Sequence, residues 1–193
     1  LDVNNVRTTI LNGGDMWWNL SNARYEIPKV QTGQVSKHSL FSGALWIGGV
    51  SNGNLKLAAQ TYRQGGNDFY PGPLVNGAAS VTADRCKEFD KIWRVTLREI
   101  KAFEEASEKA SYELPTDLET WPGNGHPSNG EAARLAPYWD ANGDQKYDPR
   151  DGDYPSLNHG NSDLDNIPDM MLYMIYNDKG NIHSETQGVP IGL

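Results

Sequence analysis

The sequence predicts a β-rich α+β fold with hairpins, one or two packed helices and long irregular loops, organised as a single domain over residues 1–193. Three observations predict it. Two apolar segments flank an Asn-Gly turn, which is typical of a β-hairpin. Apolar residues then recur at helical spacing. Finally, 20 glycines and 11 prolines indicate many turns.

The clearest local signal is the hairpin. An apolar segment over residues 40–47 precedes the turn at 51–54, and a second apolar segment, 55–62, follows it. Asn-Gly favours a two-residue turn because both positions need positive φ. The Gly48-Gly49 pair is expected to introduce a bulge or to permit close backbone approach. Residues 3–20 are predicted to form two short strands, or one strand and a turn.

A helical pattern begins at Thr82 or Asp84. Its apolar stripe, with residues three and four apart, consists of Phe89, Ile92, Trp93, Leu97, Ile100 and Phe103. Such a stripe is expected to pack on the sheet. Thr96 and Glu99 match a capping box, so the alternative is two helices joined near Val95.

The other segments are short or irregular. Residues 64–78 are predicted to be a surface loop, and residues 114–137 mostly extended loop with a short helix over 131–136. The apolar run 170–176 is predicted to turn and pair with residues 181–186 as a second hairpin.

Composition narrows the classes of function. The formal net charge of −8 and the pI near 4.9 argue against nucleic acid as a partner, because binding to phosphates needs clustered Lys and Arg. Much of the negative charge lies in residues 140–169, which contain eight Asp but only two basic residues, Lys146 and Arg150. No apolar run reaches the ~18–20 residues of a membrane span. The single Cys86 excludes an internal disulfide, and we expect it to be a buried thiol on the predicted helix.

Motifs for common enzyme classes are not found in the sequence. The four histidines lack the spacing of a zinc helix, and there is no nucleophile elbow, P-loop or dinucleotide fingerprint. A glycosidase needs only two carboxylates about 5–10 Å apart, which leaves unspecific candidates: Glu26, Asp68, Asp90 and Glu119. We therefore interpret the chain as non-enzymatic.

The run from Asp140 to Asp151 has the spacing of a calcium loop. Oxygen-bearing side chains fall at loop positions 1, 3, 5, 9 and 12, and position 7 offers a backbone carbonyl; the residues are Asp140, Asn142, Asp144, Asp148, Asp151 and Lys146. Calcium takes about six to eight oxygen ligands, which this set supplies. The Asp-x-Asn-Gly-Asp start with Asp at position 12 resembles the calcium loops of dockerin modules.

The loop departs from the EF-hand pattern at two positions. Position 12 is Asp151 where EF-hands use Glu, and position 6 is Gln145 where the sharp turn favours Gly. We expect Gly143 to take over the turn. Ca²⁺ is therefore the expected cofactor, and the alternative is a solvated acidic turn, since tight turns also select Asp, Asn and Gly.

A second acidic stretch repeats the spacing of positions 1, 3, 5 and 9 and is expected to be a weaker site; its residues are Asn161, Asp163, Asp165 and Asp169. Position 12 of this stretch is Leu172, which supplies no side-chain oxygen. Residues 138–170 together are predicted to be a calcium-stabilised region.

Several segments together resemble the N-terminal region of large secreted or cell-surface proteins of Bacteroidota, of the kind exported by the type IX secretion system. They are residues 4–14, 39–49, 59–63, 67–73 and 138–144. The resemblance spans nearly the whole chain and implies an extracellular location, but it implies no activity. We interpret the chain as the N-terminal part of a larger protein.

The leading hypothesis is a non-enzymatic extracellular domain, stabilised by calcium, that builds part of a surface assembly. Expected partners are other copies, other surface proteins or glycans. The alternatives are a fragment of a secreted hydrolase or a carbohydrate-binding module that uses aromatic rings, with the candidates Trp17, Trp18, Tyr62, Tyr70, Trp121 and Trp139. Loop position favours Tyr70 and Trp121 as the exposed rings.

Overall fold

The computed structural model describes residues 1–59, 69–77, 82–106, 112–157 and 167–179. These residues fall into two compact units, the first built from 1–90 and 175–179 and the second from 91–174. The described part is β-rich, with short strands outnumbering helices. This confirms the coarse fold class, while the prediction of a single domain stays a prediction.

The strands in chain order are β1 (Asp2–Val3), β2 (Val6–Thr8), β3 (Asp15–Met16), β4 (Tyr25–Glu26), β5 (His38–Leu40), β6 (Gly43–Ala44), β7 (Trp46–Ser51), β8 (Asn54–Ala59), β9 (Tyr70–Pro71), β10 (Trp93–Thr96), β11 (Tyr138–Trp139), β12 (Tyr154–Pro155), β13 (Met170–Tyr173) and β14 (Tyr176–Asn177). The α-helices are α1 (Ala83–Phe89), α2 (Leu97–Ala106) and α3 (Thr116–Glu119). Two 3-10 turns cover Pro127–Asn129 and Pro149–Asp151.

The first unit contains a four-stranded antiparallel sheet in the order β1-β2-β4-β5, and three two-stranded pairs: β3 with β6, β7 with β8, and β9 with β14. The predicted hairpin is found as the β7–β8 pair, but its first strand begins at Trp46 and not at residue 40, because Leu40 in β5 pairs with β4 and Gly43–Ala44 in β6 pairs with β3. Residues 60–62 of the predicted second strand lie outside the described residues. Asn52 and Gly53 turn the hairpin with φ of 51° and 76°, as an Asn-Gly turn requires. Its register runs unbroken past Gly48, so the predicted bulge is wrong. Close backbone approach is not found at Gly48 either, since a Cβ there would meet the side chain of Leu57 at 2.8 Å, whereas the Lys56 carbonyl oxygen lies at 3.6 Å.

The continuous helix predicted from residue 82 or 84 to 103 is wrong. The segment forms α1, then strand β10, then α2. Trp93 and Val95 are buried while Arg94 between them is exposed, which is the alternation of a strand. The capping box is confirmed, since Glu99 N donates to Thr96 Oγ1 and Thr96 N donates to Glu99 Oε2.

Two further elements differ from expectation. Residues 131–136 form no helix, and Arg134 instead makes an isolated antiparallel bridge to Asn124. The apolar run 170–176 is shared between β13, which pairs with β10, and β14, which pairs with β9. The expected return strand over 181–186 lies outside the described residues.

Each unit has its own apolar core. In the first unit the large buried side chains are Trp18, Phe69 and Phe89. In the second they are Trp93, Val95, Ile100, Phe103, Leu118, Trp121, Tyr138, Tyr147, Tyr154, Ile167 and Met171. Cys86 lies on α1 as predicted, half-buried, with its thiol donating to the Pro71 carbonyl at 3.1 Å. Aromatic rings therefore carry much of the burial.

Candidate calcium loop

The acidic run 140–151 lies in the second unit, between strands β11 and β12. These strands pair antiparallel, with Tyr138 opposite Pro155 and Trp139 opposite Tyr154. The two ends of the loop are therefore held side by side by a pair of strands.

The first half of the loop is wound around its own side chains. Asp140 accepts two backbone N–H groups, from Gly143 at 2.8 Å and from Gln145 at 2.9 Å. Asn142 Oδ1 accepts from Asp144 N at 3.0 Å, and Asp144 Oδ1 accepts from the N–H of Lys146 at 2.8 Å. These are local turns of the kind that Asx residues form.

Two residues supply the turn conformation. Gly143 has φ of 77° at position 4, but it does not take over the turn at position 6, so that expectation is wrong. Gln145 has φ of 65°, a left-handed conformation that costs a non-glycine residue about 1–2 kcal/mol. The loop therefore turns at position 6 as an EF-hand does, without the glycine.

The second half of the loop is a capped 3-10 turn. Asp148 Oδ1 accepts from Arg150 N at 2.9 Å and caps the turn at Pro149–Asp151. Asn142 Nδ2 donates to Asp151 Oδ2 at 3.4 Å, which brings loop positions 3 and 12 together. The chain thus curls back so that Asn142, near the start of the loop, contacts Asp151 at its end.

Asp153, which sequence reasoning missed, closes the base of the loop. Its carboxylate accepts from Ala141 N at 2.8 Å and from Asp148 N at 2.9 Å, and the residue is fully buried. Burial raises the pKa of Asp153, and the charges of Asp140 and Asp144 raise it further. The carboxylates of Asp140 and Asp144 therefore repel that of Asp153.

An aromatic anchor holds the middle of the loop in the core. Tyr147 at position 8 is buried, and its hydroxyl donates to the Leu118 carbonyl at 2.6 Å. Its ring meets that of Tyr138 edge-on, with centroids 5.3 Å apart. A Cβ at Gly123 would lie 2.5 Å from Tyr147 Cβ, so only glycine fits beneath the ring. Burial raises the pKa of Tyr147.

The predicted ligands of the first loop are neighbours along one wound segment. Within the described residues, however, no three His, Cys, Asp or Glu side chains converge closely enough to hold a metal ion. Of the second stretch, Asn161, Asp163 and Asp165 lie outside the described residues. Asp169 lies in the second unit, where its carbonyl accepts from Leu97 N at 3.1 Å.

The carboxylates considered for hydrolysis have structural partners. Glu26 is buried, accepts hydrogen bonds from Ser36 and Val30, and pairs with Arg7; the Ser36 bond is the main reason that its pKa is lowered. Asp90 accepts from Asn12 at 2.8 Å. Glu119 pairs with Arg150 at 3.0 Å, and Asp68 lies outside the described residues. Each of the three described carboxylates therefore has a hydrogen-bond or ion-pair partner.

The rings considered for glycan stacking are more buried than expected. Trp121 and Trp18 are each 3% exposed, so the expectation of an exposed Trp121 is wrong. Trp121 is held by a hydrogen bond from Nε1 to the Pro137 carbonyl at 3.1 Å. Trp17, Tyr70 and Trp139 are half-buried, and Tyr62 lies outside the described residues. The exposed tryptophan is Trp46, at 66%.

Comparison with protein-family models, with curated proteins and with solved structures found no match to this chain. None of the helices in the described ranges is long and apolar enough to cross a membrane.

Proposed function

We propose that this chain is a non-enzymatic structural domain of an extracellular surface assembly, stabilised by calcium held in the loop 140–151. The observation that carries the proposal is the winding of this loop, in which alternate acidic or amide side chains take up the backbone N–H groups. Its closed base and buried Tyr147 support a rigid loop. A rigid loop lowers the ordering entropy that ion binding would otherwise have to offset.

The donor set fits calcium in chemistry and in number. The oxygen ligands would be the five side chains at positions 1, 3, 5, 9 and 12 together with the Lys146 carbonyl. Six oxygens meet the lower end of the coordination number of calcium, which is about six to eight. The ion would supply positive charge where Asp140, Asp144 and Asp153 crowd one another. Some carboxylates now turned toward backbone N–H groups would have to share their oxygens with the ion.

The extracellular location follows from the expected affinity. Position 12 is a short Asp that reaches the ion less easily than the bidentate Glu of EF-hands, so we expect weak binding. Such a loop would be filled by calcium near millimolar concentration, as in extracellular modules. With a dissociation constant of about 10⁻⁴ M, millimolar calcium would add about 1.4 kcal/mol to the free energy of unfolding.

The test is a thermal melt in millimolar calcium and in excess chelator, with light scattering recorded on the same samples. Asp144→Asn removes one negative ligand but keeps an oxygen that can accept from Lys146 N. Glu105→Gln, on the exposed face of α2, is the control for loss of a carboxylate. We expect calcium to raise the Tm of the wild type and of Glu105→Gln, and to raise that of Asp144→Asn much less. Superimposable melts in calcium and chelator would exclude the calcium site.

A further inference from the structure

Tyr138, the last residue but one before the calcium loop, carries a buried hydroxyl group without a hydrogen bond. The residue is 1% exposed, and within the described residues its Oη atom has no hydrogen-bond partner. The neighbouring Tyr147, by contrast, donates its hydroxyl to the Leu118 carbonyl. A buried O–H group without an acceptor is costly, so a fold that keeps one calls for an explanation.

The ring of Tyr138 is held in place by its neighbours. The Arg134 guanidinium lies 3.9 Å from the ring centroid, and the ring of Tyr147 meets it edge-on. Gly123 packs so closely that a Cβ there would lie 3.0 Å from Tyr138 Cδ1. Arg134 also donates to the Tyr138 carbonyl, but a guanidinium offers no acceptor to an O–H group. Because the ring is held, an acceptor for the hydroxyl has to come from a group that can move toward it.

Carboxylates of the loop lie beside Tyr138. Asp140 follows Tyr138 by two residues, and Asp153 precedes the cross-strand partner of Tyr138 by two. Two residues along an extended chain is the spacing that returns to the same face. Burial raises the pKa of the Tyr138 phenol, and the charge of Arg134 lowers it. The charges of Asp140, Asp153 and Asp144 raise this pKa again, so the phenol lies within electrostatic reach of the loop carboxylates.

Asp140 is the carboxylate best placed to accept from this hydroxyl. Asp153 is fully buried, and backbone N–H groups at the base of the loop hold both of its oxygens. Asp144 lies further along the exposed part of the loop. Asp140 is only half-buried, and each of its oxygens keeps a second lone pair beyond the N–H group that it accepts. At loop position 1, its carboxylate has to reorient in order to share an oxygen with calcium.

We propose that Tyr138 is a positioning residue of the calcium loop, whose hydroxyl donates to the Asp140 carboxylate when that carboxylate binds the ion. The inference rests on the proposed function and adds a residue to its site. The hydrogen bond forms only in the calcium-bound loop. Its free energy therefore adds to the affinity for calcium and not to the stability of the chain without calcium, because an interaction made in one state alone shifts the equilibrium toward that state.

The test is a series of thermal melts over about 0.1–30 mM calcium chloride and in excess chelator, which gives the calcium affinity and the stability without calcium separately. Tyr138→Phe removes the hydroxyl and keeps the ring. We expect its Tm in chelator to equal or exceed that of the wild type, because the lost O–H group has no acceptor there. We expect its dissociation constant for calcium to rise about tenfold, which is what one hydrogen bond to a charged acceptor contributes.

Tyr173→Phe is the matched control, in the same compact unit. The Tyr173 hydroxyl donates to the Leu135 carbonyl at 3.2 Å, outside the loop. We expect Tyr173→Phe to lower the Tm in chelator and in calcium alike and to leave the dissociation constant for calcium unchanged. The two variants therefore separate a hydroxyl that acts on ion binding from one that acts on the fold.

Two results would overturn this inference alone. A wild-type dissociation constant in Tyr138→Phe would show that the hydroxyl does not act on the calcium loop. An equal loss of Tm in chelator and in calcium would assign the hydroxyl a structural hydrogen bond, as in Tyr173. In both cases a wild type that calcium stabilises leaves the proposed function standing, whereas a wild type that melts alike in calcium and in chelator overturns both proposals.

Discussion

Asn124 and Tyr147 exchange two hydrogen bonds across 23 residues of sequence. Asn124 Nδ2 donates to the Tyr147 carbonyl, and Tyr147 N donates to Asn124 Oδ1, each at 2.8 Å. The amide side chain thus pairs with the backbone of the loop's eighth residue as a neighbouring strand would. Together with the buried Tyr147 ring, this clamp fixes the centre of the acidic loop.

Replacing Asn124 by Ala is expected to lower the free energy of unfolding by about 1–3 kcal/mol, because Tyr147 loses the partners of both its N–H and its carbonyl. Urea denaturation measures the change. Asn129→Ala, in the nearby 3-10 turn, is the control, since the Asn129 side chain makes no hydrogen bond within the described residues. Equal effects of the two substitutions would contradict the clamp.

Asp153→Asn is expected to lower the free energy of unfolding by about 2–3 kcal/mol. Both carboxylate oxygens accept a backbone N–H in a buried site, and an amide can offer only one acceptor while its NH₂ group faces a donor. The loss should be seen by urea denaturation in chelator as well as in calcium, because it acts on the base of the loop. A loss confined to calcium would mean that Asp153 acts on the ion rather than on the backbone.

Gln145→Gly is expected to stabilise the chain by up to about 1 kcal/mol. Gln145 has φ of 65°, and glycine adopts this conformation without the clash of a Cβ. Gln31→Gly, at an exposed position without positive φ, is the matched control and should destabilise slightly through the entropy of the unfolded chain. Chemical denaturation of both variants in chelator checks the sign, and a loss of stability in both would refute it.

Gly125→Ala is expected to lower the free energy of unfolding by about 2–3 kcal/mol. A Cβ at this position would lie 1.9 Å from the Ala132 carbonyl oxygen, and backbone cannot yield as a side chain does. Gly49→Ala is the comparison, because no atom lies within 4 Å of its Cβ position, and it should stay within about 0.5 kcal/mol of the wild type. Thermal melts of both variants measure the difference, and equal melting temperatures for Gly125→Ala and Gly49→Ala would contradict the prediction.

The titration of Asp15 is expected to lower the free energy of unfolding as pH rises from about 4 to 6. Burial raises the pKa of Asp15 to about 6 from its ordinary value of 3.8, while a hydrogen bond from Trp18 acts in the opposite direction. In this window Asp15 keeps its proton in the folded state and releases it in the unfolded state. The stability that Asp15 contributes is therefore fully present below pH 4 and lost above about pH 6. The expected loss is on the order of 2–3 kcal/mol.

Asp15→Asn removes this titration and should flatten the corresponding part of the pH profile. Urea denaturation between pH 4 and 7 gives the difference in the free energy of unfolding between the wild type and the variant. The other titrating groups act equally on both proteins and so do not affect this difference. Asp84→Asn, at an exposed position in the first turn of α1, controls for loss of one carboxylate. Parallel profiles for the wild type and Asp15→Asn would contradict the prediction.

The elements that the sequence predicted correctly depend on neighbours in the chain. The turn at Asn52-Gly53 follows from the φ angles that these residues allow, and the cap of α2 follows from Thr96 and Glu99 three positions apart. The turns within residues 140–151 likewise join residues two to five apart. Whether these residues bind calcium stays a prediction.

Only the tertiary structure decided the elements whose partners are distant. Residues 93–96 carry a helical spacing, yet they form a strand because β13, about eighty residues later, pairs with them in antiparallel register and places the buried Met171 opposite Val95. The buried Trp121 satisfies its indole N–H on the Pro137 carbonyl, 16 residues later, and Asn124 bonds to Tyr147 across 23 residues. Local pattern alone determines turns and caps, since their energies arise within a few residues. The choice between helix and strand, and the burial of a ring, depends on side-chain packing that forms only when distant segments meet.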